Sequence, residues 1–261
     1  MILQEIVAYK RKEVAFAKAQ RSVAELSRLV RGRHAGHRFR TALADSGKPL
    51  ALIAELKRKS PSAGMLRERF DPVRLAQELQ DAGASALSIL TDEHFFGGSL
   101  DILRDVQPFV EIPILRKDFI LDPYQIYEAV HASADAVLLI VRILTPAQLR
   151  ELLELADQLG VDALTEVHSE EELELALKAG ASLIGINHRN LQTFTTDPTL
   201  TARLVPKIPD STLIVAESGI RRREELQAFA ALGVHAVLIG ETLMRSADVG
   251  ATIRELFAGI W

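Results

Sequence analysis

From Pro49 onward, short apolar runs alternate with helical stretches, and there are eight such runs. They are LALIAE (50–55), ALSIL (86–90), IPIL (112–115), AVLLIV (136–141), ALTEV (163–167), LIGIN (183–187), TLIVAE (212–217) and AVLIG (236–240). Runs this apolar, without polar alternation, suit parallel strands covered on both faces. The intervening stretches carry helix-start signals. Asp71-Pro72, Asp122-Pro123 and Asp197-Pro198 each place an acidic N-cap before Pro at the first helical position. Thr145…Gln148 and Ser169…Glu172 match capping boxes. Before Pro49 the pattern is helical: Leu3, Ile6, Val7 and Val14, then Val23, Leu26 and Val30, fall near helical spacing. Gly32 and Gly36 interrupt it, and a short helix is expected near Phe39–Leu43.

A repeat underlies the alternation. DAGASALSIL (81–90), HASADAVLLI (131–140), KAGASLIGIN (178–187) and ALGVHAVLIG (231–240) align without gaps, at intervals of 47 to 53 residues. Each begins where a helix ends and runs into strand two, four, six or eight. Three place Gly83, Gly180 or Gly233 where a left-handed residue closes a helix; the fourth has Ser133 there. The period is two βα units, and four such double units make a closed barrel. The expectation is an α/β protein: a single (β/α)8 TIM barrel over residues 49–261, with a helical N-terminal extension over 1–48. An open doubly wound sheet would want a glycine-rich turn after its first strand. The segment here reads ELKRKSPS.

The 261 residues, 48% of them hydrophobic, suit one large core. There is no cysteine, which excludes disulfides, thiolate nucleophiles and cysteine-held zinc or iron–sulfur sites. The seven histidines show no metal-ligand spacing, and neither a phosphate-binding P-loop nor a nucleic-acid motif is present. No metal or nucleic-acid partner is expected. No apolar run approaches the roughly 20 residues of a membrane helix. The start, MILQEIVAYKRKEV, lacks the h-region of a signal peptide. A cytoplasmic protein is therefore expected. The net charge of −4 divides unevenly: +7 over residues 1–48 and −11 over the remainder. Charge runs of this kind usually mark a solvated helix face.

Barrel enzymes place their chemistry at the C-terminal ends of strands, with one interior layer drawn from alternate strands. The odd strands end in charge: Glu55 and Lys57, Arg116 and Lys117, Glu166, and Glu217. Charged groups are rarely buried unless paired. One reading is a structural ring of ion pairs. Against it, such pairs seldom stabilise better than apolar residues, and acid–base work explains convergent Lys and Glu at this face. Lysine near a second cation and glutamate near a second carboxylate are expected to shift toward neutral pH. Two glycines, Gly219 after strand seven and Gly240 after strand eight, stand where barrels commonly bind phosphate. Loop 57–64, KRKSPSAG, is basic and suits an anionic substrate. Phe95, Phe96 and Phe119 follow strands two and three, where they are core or stack on an aromatic ligand.

At these positions the chain resembles the indole-3-glycerol phosphate synthase family. The matching stretches are IAELKRKSPSAG (53–64), FDPV (70–73), LSILTDEHFFGGS (87–99), PILRKDFI (113–120), LTEVHSEEEL (164–173), IGINHRNLQTF (184–194), VAESGI (215–220) and VLIGETLMR (237–245). The resemblance implies a cofactor-free carboxy-lyase of tryptophan biosynthesis. Its reaction turns 1-(2-carboxyphenylamino)-1-deoxyribulose 5-phosphate into indole-3-glycerol phosphate, carbon dioxide and water. It implies Lys117 as general acid for ring closure and Glu166 as acid/base in dehydration. Lys57 would hold an anionic group or donate the later proton. Glu55 and Asn187 would orient lysines and substrate. Ser60, Pro61, Arg189 and Glu217 would contact substrate, and Phe96, Phe119, Leu191 and Leu238 would hold the anthranilate ring. Ser218, Gly219, Gly240 and Glu241, with Lys57, would bind the phosphate. The extension would cover the catalytic face, its charge drawing in a polyanion. A monomer and contacts with other pathway enzymes both fit. The nearest rival, phosphoribosylanthranilate isomerase, should lack the extension and the KRKSPS loop and usually relies on Cys and Asp. A catalytically silent sugar-phosphate barrel need not keep Lys57, Lys117 and Glu166 together.

Overall fold

The computed structural model describes residues 2–32, 36–190 and 195–261. Eight parallel strands close into a barrel. They are β1 (Ala51–Leu56), β2 (Ala86–Leu90), β3 (Ile114–Lys117), β4 (Ala136–Ile140), β5 (Asp162–Val167), β6 (Leu183–Asn187), β7 (Leu213–Glu217) and β8 (Ala236–Ile239). Each pairs with its neighbour in sequence, and β8 pairs with β1 through Ala51↔Ala236 and Ile53↔Leu238. The extension forms α1 (Ile2–Gln20), α2 (Val23–Leu29) and α3 (Arg38–Ala44). In the barrel follow α4 (Pro72–Asp81), α5 (Glu93–Phe96), α6 (Leu100–Val106), α7 (Pro123–His131), α8 (Pro146–Gln158), α9 (Glu170–Lys178), α10 (Leu200–Leu204), α11 (Arg223–Ala231), α12 (Glu241–Arg245) and α13 (Val249–Leu256).

Side-chain alternation along the strands sorts the core into two shells. Leu52, Ala54, Leu87, Val137 and Ile184 face out and pack under the helix ring. Ile53, Leu115, Leu138, Leu164, Val215 and Leu238 fill the barrel interior. Phe39 and Leu43 of α3 join that interior shell among Ala51, Ala86, Ala136, Leu183 and Ala236, at or next to the first residue of their strands. α3 therefore plugs the N-terminal end of the barrel. Its charges fasten it there: Arg38 meets Asp135 at 3.1 Å, and the Arg40 N–H donates to Asp162 at 2.8 Å. α2 packs against α7, and the first turns of α1 lie at the opposite mouth.

Several local expectations need correction. The third strand starts two residues later than its apolar run, at Ile114. Pro113, without an N–H, contributes only its carbonyl, to Leu87 N at 2.9 Å. Asp197 does not cap a helix: α10 begins at Leu200, and Asp197 instead turns back on Thr199 N at 3.0 Å. The box at Ser169…Glu172 is half formed. Ser169 accepts from Glu172 N, but the Glu172 carboxylate goes to His168. Nor is the basic extension merely a solvated face: Lys10 is fully buried, and Lys18 pairs with Asp122 at 2.6 Å. The repeat holds in detail, since Ser133 takes φ 64° where Gly83, Gly180 and Gly233 take 99°, 95° and 79°.

Candidate active site

The interior positions of β1, β3, β5 and β7 carry Glu55, Lys117, Glu166 and Glu217, the outermost inward residues of their strands. Register sets Glu55 beside Ser88, and Asn187 beside Glu217. Lys117 Nζ stands 2.6 Å from Glu217 Oε2 and 3.5 Å from Glu166 Oε2. Lys57 Nζ stands 2.5 Å from Glu55 Oε1. Two neighbouring glycines make room. A Cβ on Gly185 of β6 would overlap Glu217 Oε1, and one on Gly240 would overlap Glu55 Oε1. The carboxylates thus occupy volume that any other residue would fill.

These groups open into one cleft of about 1170 Å³, part of it open to solvent. Glu55, Lys57, Ser60, Pro61, Phe96, Lys117, Phe119, Glu166, Asn187, Arg189, Glu217, Ser218, Gly219, Leu238, Gly240 and Glu241 all line it. Leu191, also expected there, lies outside the described residues. One wall is apolar: Phe96 and Phe119, with ring centroids 6.0 Å apart, meet Leu238 and Leu138. Ile2, Leu3 and Ile6 of α1 complete it. The other wall is backbone of the loops after β7 and β8. Ser218 and Gly219 both adopt positive φ, 68° and 77°, a geometry that turns consecutive N–H groups to one side. Thr242 Oγ1 donates to the Ile220 carbonyl at 2.6 Å, tying this loop to the start of α12. Glu241 is neutralised by Arg189 and Arg245 at 3.4 and 3.2 Å.

The electrostatics differ from expectation. Burial alone would push Lys117 toward neutrality, but Glu217, Glu166 and Glu55 outweigh it and raise its pKa. Burial would likewise raise Glu166; Lys117, with His168 and Asn187, depresses it instead. Glu55 is also depressed, Lys57 and Lys117 overcoming its burial. Only Glu217 follows the expected direction. Burial and the charges of Glu166 and Glu55 lift it to about 7 against the pull of Lys117. The reason is stoichiometric: the cluster holds three carboxylates and two ammoniums. Each ammonium sees an excess of negative charge, and one carboxylate is left under-served.

Two residues, His168 and Asp118, escaped the sequence reading. His168 contacts Glu166 from outside the cleft, Nε2 to Oε1 at 3.2 Å. His188 does not reach the cleft; it faces away, donating from Nδ1 to the Ser218 carbonyl at 3.0 Å while Thr201 Oγ1 meets its Nε2 at 2.6 Å. Asp118 carries no sequence signal of its own, as neighbour to Lys117. Among the described residues no group of three or more His, Asp or Glu is disposed to chelate a metal ion. Among them, too, no helix is long and apolar enough to cross a membrane.

Comparison with known proteins gives one answer. Residues 3–256 match the family model for indole-3-glycerol phosphate synthase. Proteins of that name from Sulfurimonas denitrificans and Carboxydothermus hydrogenoformans are each 44% identical. The first aligns over 99% of both chains, the second over 99% of this chain and 100% of its own. The Dehalococcoides mccartyi protein of that name is 50% identical over 80% of this chain and 82% of its own. Among solved structures, a 3-hexulose-6-phosphate synthase superposes with TM-score 0.65 at 15% identity, covering 81% of this chain and 100% of that one. That likeness reports the shared barrel alone. The match along nearly the whole chain, with the convergent site beneath it, places this chain in the indole-3-glycerol phosphate synthase family.

Proposed function

We propose that the chain converts 1-(2-carboxyphenylamino)-1-deoxyribulose 5-phosphate into indole-3-glycerol phosphate. The observation that carries this reading is the meeting of Lys117, Glu166, Glu217, Glu55 and Lys57 between an apolar wall and the glycine-bearing loops after β7 and β8. The substrate has the matching three parts: an aromatic ring, a reacting carbonyl and a phosphate.

The phosphate sits on the N–H groups around Ser218, Gly219, Gly240 and Glu241, with Lys57 and Arg189 adding positive charge. The anthranilate ring lies against Phe96, Phe119 and Leu238, under the start of α1. In this pose the carbonyl points at Lys117. A lysine held protonated by surrounding carboxylates carries at neutral pH the proton a general acid must give. Lys117 gives its proton to the carbonyl oxygen as the ring carbon bearing the carboxylate attacks the carbonyl carbon. The carboxylate leaves as carbon dioxide, and its bonding pair restores the aromatic ring. The new hydroxyl then leaves as water, pushed by the ring nitrogen and protonated by a lysine. Glu166, held ionised, accepts the proton lost from the adjacent methylene, which completes the indole. Glu55 orients Lys57, Glu217 orients Lys117, and Asn187 borders Glu166. The first helix excludes water from the ring side of the cleft.

The test is direct. Purified protein incubated with the carboxyphenylamino-deoxyribulose phosphate should develop indole fluorescence and release carbon dioxide. Absence of both, in a folded preparation, overturns the assignment.

A further inference from the structure

Glu166 has two oxygens with different neighbours. Oε2 faces Lys117 and the cleft, whereas Oε1 faces His168 just past the end of β5. His168 is 2% exposed and lines no part of the cleft. Its other ring nitrogen, Nδ1, stands 3.1 Å from Glu172 Oε2 on α9, and the same oxygen accepts the His168 backbone N–H at 2.8 Å. Glu172 Oε1 accepts from Arg142 Nε at 2.6 Å. The chain of contacts thus runs from the surface guanidinium through Glu172 and His168 to the catalytic carboxylate.

We propose that His168 is the positioning residue for Glu166, its ring clamped between two carboxylates so that it pins Oε1 and leaves Oε2 to Lys117 and the substrate. This rests on the acid–base role proposed for Glu166. Glu172 lies 3.1 Å from Nδ1 as a hydrogen-bond partner and Glu166 lies 3.2 Å from Nε2 as a charge contact, and both carboxylates favour the imidazolium. Burial opposes that charge, but Glu166 and Glu172 prevail and push its pKa up to about 9. The groups facing Glu166 are Lys117 from β3, Asn187 from β6 and His168, with the carboxylates Glu55 of β1 and Glu217 of β7 across the same cluster; those facing His168 are Glu166 and Glu172, with Arg142 behind. Two cations hold one carboxylate from opposite sides, which fixes its rotamer and keeps it ionised. The half-formed capping box has the same cause: Glu172 forgoes the Ser169 N–H to brace His168.

The test compares wild type with His168→Gln and Glu172→Gln. Removing the imidazolium should cut kcat between about 10- and 100-fold, the loss that misplacing a reacting group brings. KM should stay close to wild type, because His168 touches no substrate. The acid limb of the kcat–pH profile should move to higher pH, since Glu166 loses a stabilising cation. Glu172→Gln, which leaves the ring in place but unbraced, should shift the limb the same way by less. An unmoved limb with only a lowered Tm would reduce His168 to a structural tie and overturn the proposal. A readout free of turnover is the NMR titration of the His168 ring in wild type and Glu166→Gln. The midpoint should fall in the variant, and an unchanged midpoint overturns the pairing. Wild type inert toward the substrate would instead overturn the proposed reaction, with the titration still judging the pairing.

Discussion

Three consecutive residues, Arg116, Lys117 and Asp118, feed two buried charge clusters that behave in opposite ways. Lys117 points into the barrel and joins Glu166 and Glu217. Arg116 and Asp118 turn away from it and join Lys10 of α1. Asp118 and Glu217 are equally inaccessible, at 2% and 1% exposure. Burial acts to raise both, yet Asp118 is held down to about 2 whereas Glu217 rises to about 7. The difference is how many donors each can count on. Asp118 receives Arg116 at 3.1 Å, Lys10 at 2.9 Å, the Thr91 hydroxyl at 2.7 Å and the Phe119 N–H at 2.8 Å. Glu217 has Lys117, which it shares with Glu166, and its Oε1 has no hydrogen-bond partner among the described residues. A carboxylate with several donors fixes structure; an under-served one is held where protons can move.

This comparison can be broken by exchanging the consequences of loss. Lys117→Ala should lower kcat by at least about 10²-fold, as for a lost general acid, in a protein that stays folded at the assay temperature. Steady-state kinetics and a melting curve together check it; near wild-type kcat would remove Lys117 from its role. Lys10→Met should do the reverse and act first on stability. It removes the ammonium 3.0 and 2.9 Å from Asp92 and Asp118, and a broken buried ion pair costs about 3–5 kcal/mol. Denaturant titration measures that loss.

The pH dependence of stability sharpens the same point at His168. Its folded pKa, about 9, stands above the ordinary 6.5. Its contribution is therefore complete below about pH 6.5 and is lost as pH rises through 9; such a shift amounts to up to about 3 kcal/mol. Unfolding free energies across that window should slope downward in wild type and more gently in His168→Gln. The smallest effect concerns the repeat. Ser133→Gly relieves a left-handed serine and should stabilise by under about 1 kcal/mol, part of the gain returning as unfolded-chain entropy. Gly83→Ala should cost more than that. Its φ is 99°, and the new Cβ would lie 3.0 Å from the Trp261 ring. Differential scanning calorimetry on both variants resolves the signs.

The site residues that sequence reveals are those whose type conflicts with their place: a charge ending an apolar strand, or a glycine following a strand at the barrel mouth. Lys57, Lys117, Glu166 and Gly219 stood out for that reason. His168 and Lys10 did not conflict with anything. A histidine after a strand, followed by Ser-Glu-Glu-Glu, looks like the start of a helix. A lysine in a basic amphipathic stretch looks solvated. Each acquires meaning only from a partner far along the chain or brought back by a turn. The same limit explains the pKa expectations. A list of lysines and glutamates does not say which stand nearest, and Lys117 and Glu166 moved opposite to the expected direction because each meets more opposite charge than like.

What the sequence by itself determined is the architecture: alternating apolar runs, helix signals and a double βα period are local features, repeated often enough that only a closed parallel barrel satisfies them all. It also determined which residues stand at the strand ends, since alternation fixes the face of every strand residue once its register is known. Tertiary structure alone decided how the extension divides, α1 at the mouth and α3 in the floor, and which charges became partners. Pairing in a desolvated interior depends on separations of a few ångströms between residues as far apart in the chain as Lys10 and Asp118, or Lys117 and Glu217. Closing the barrel creates those distances.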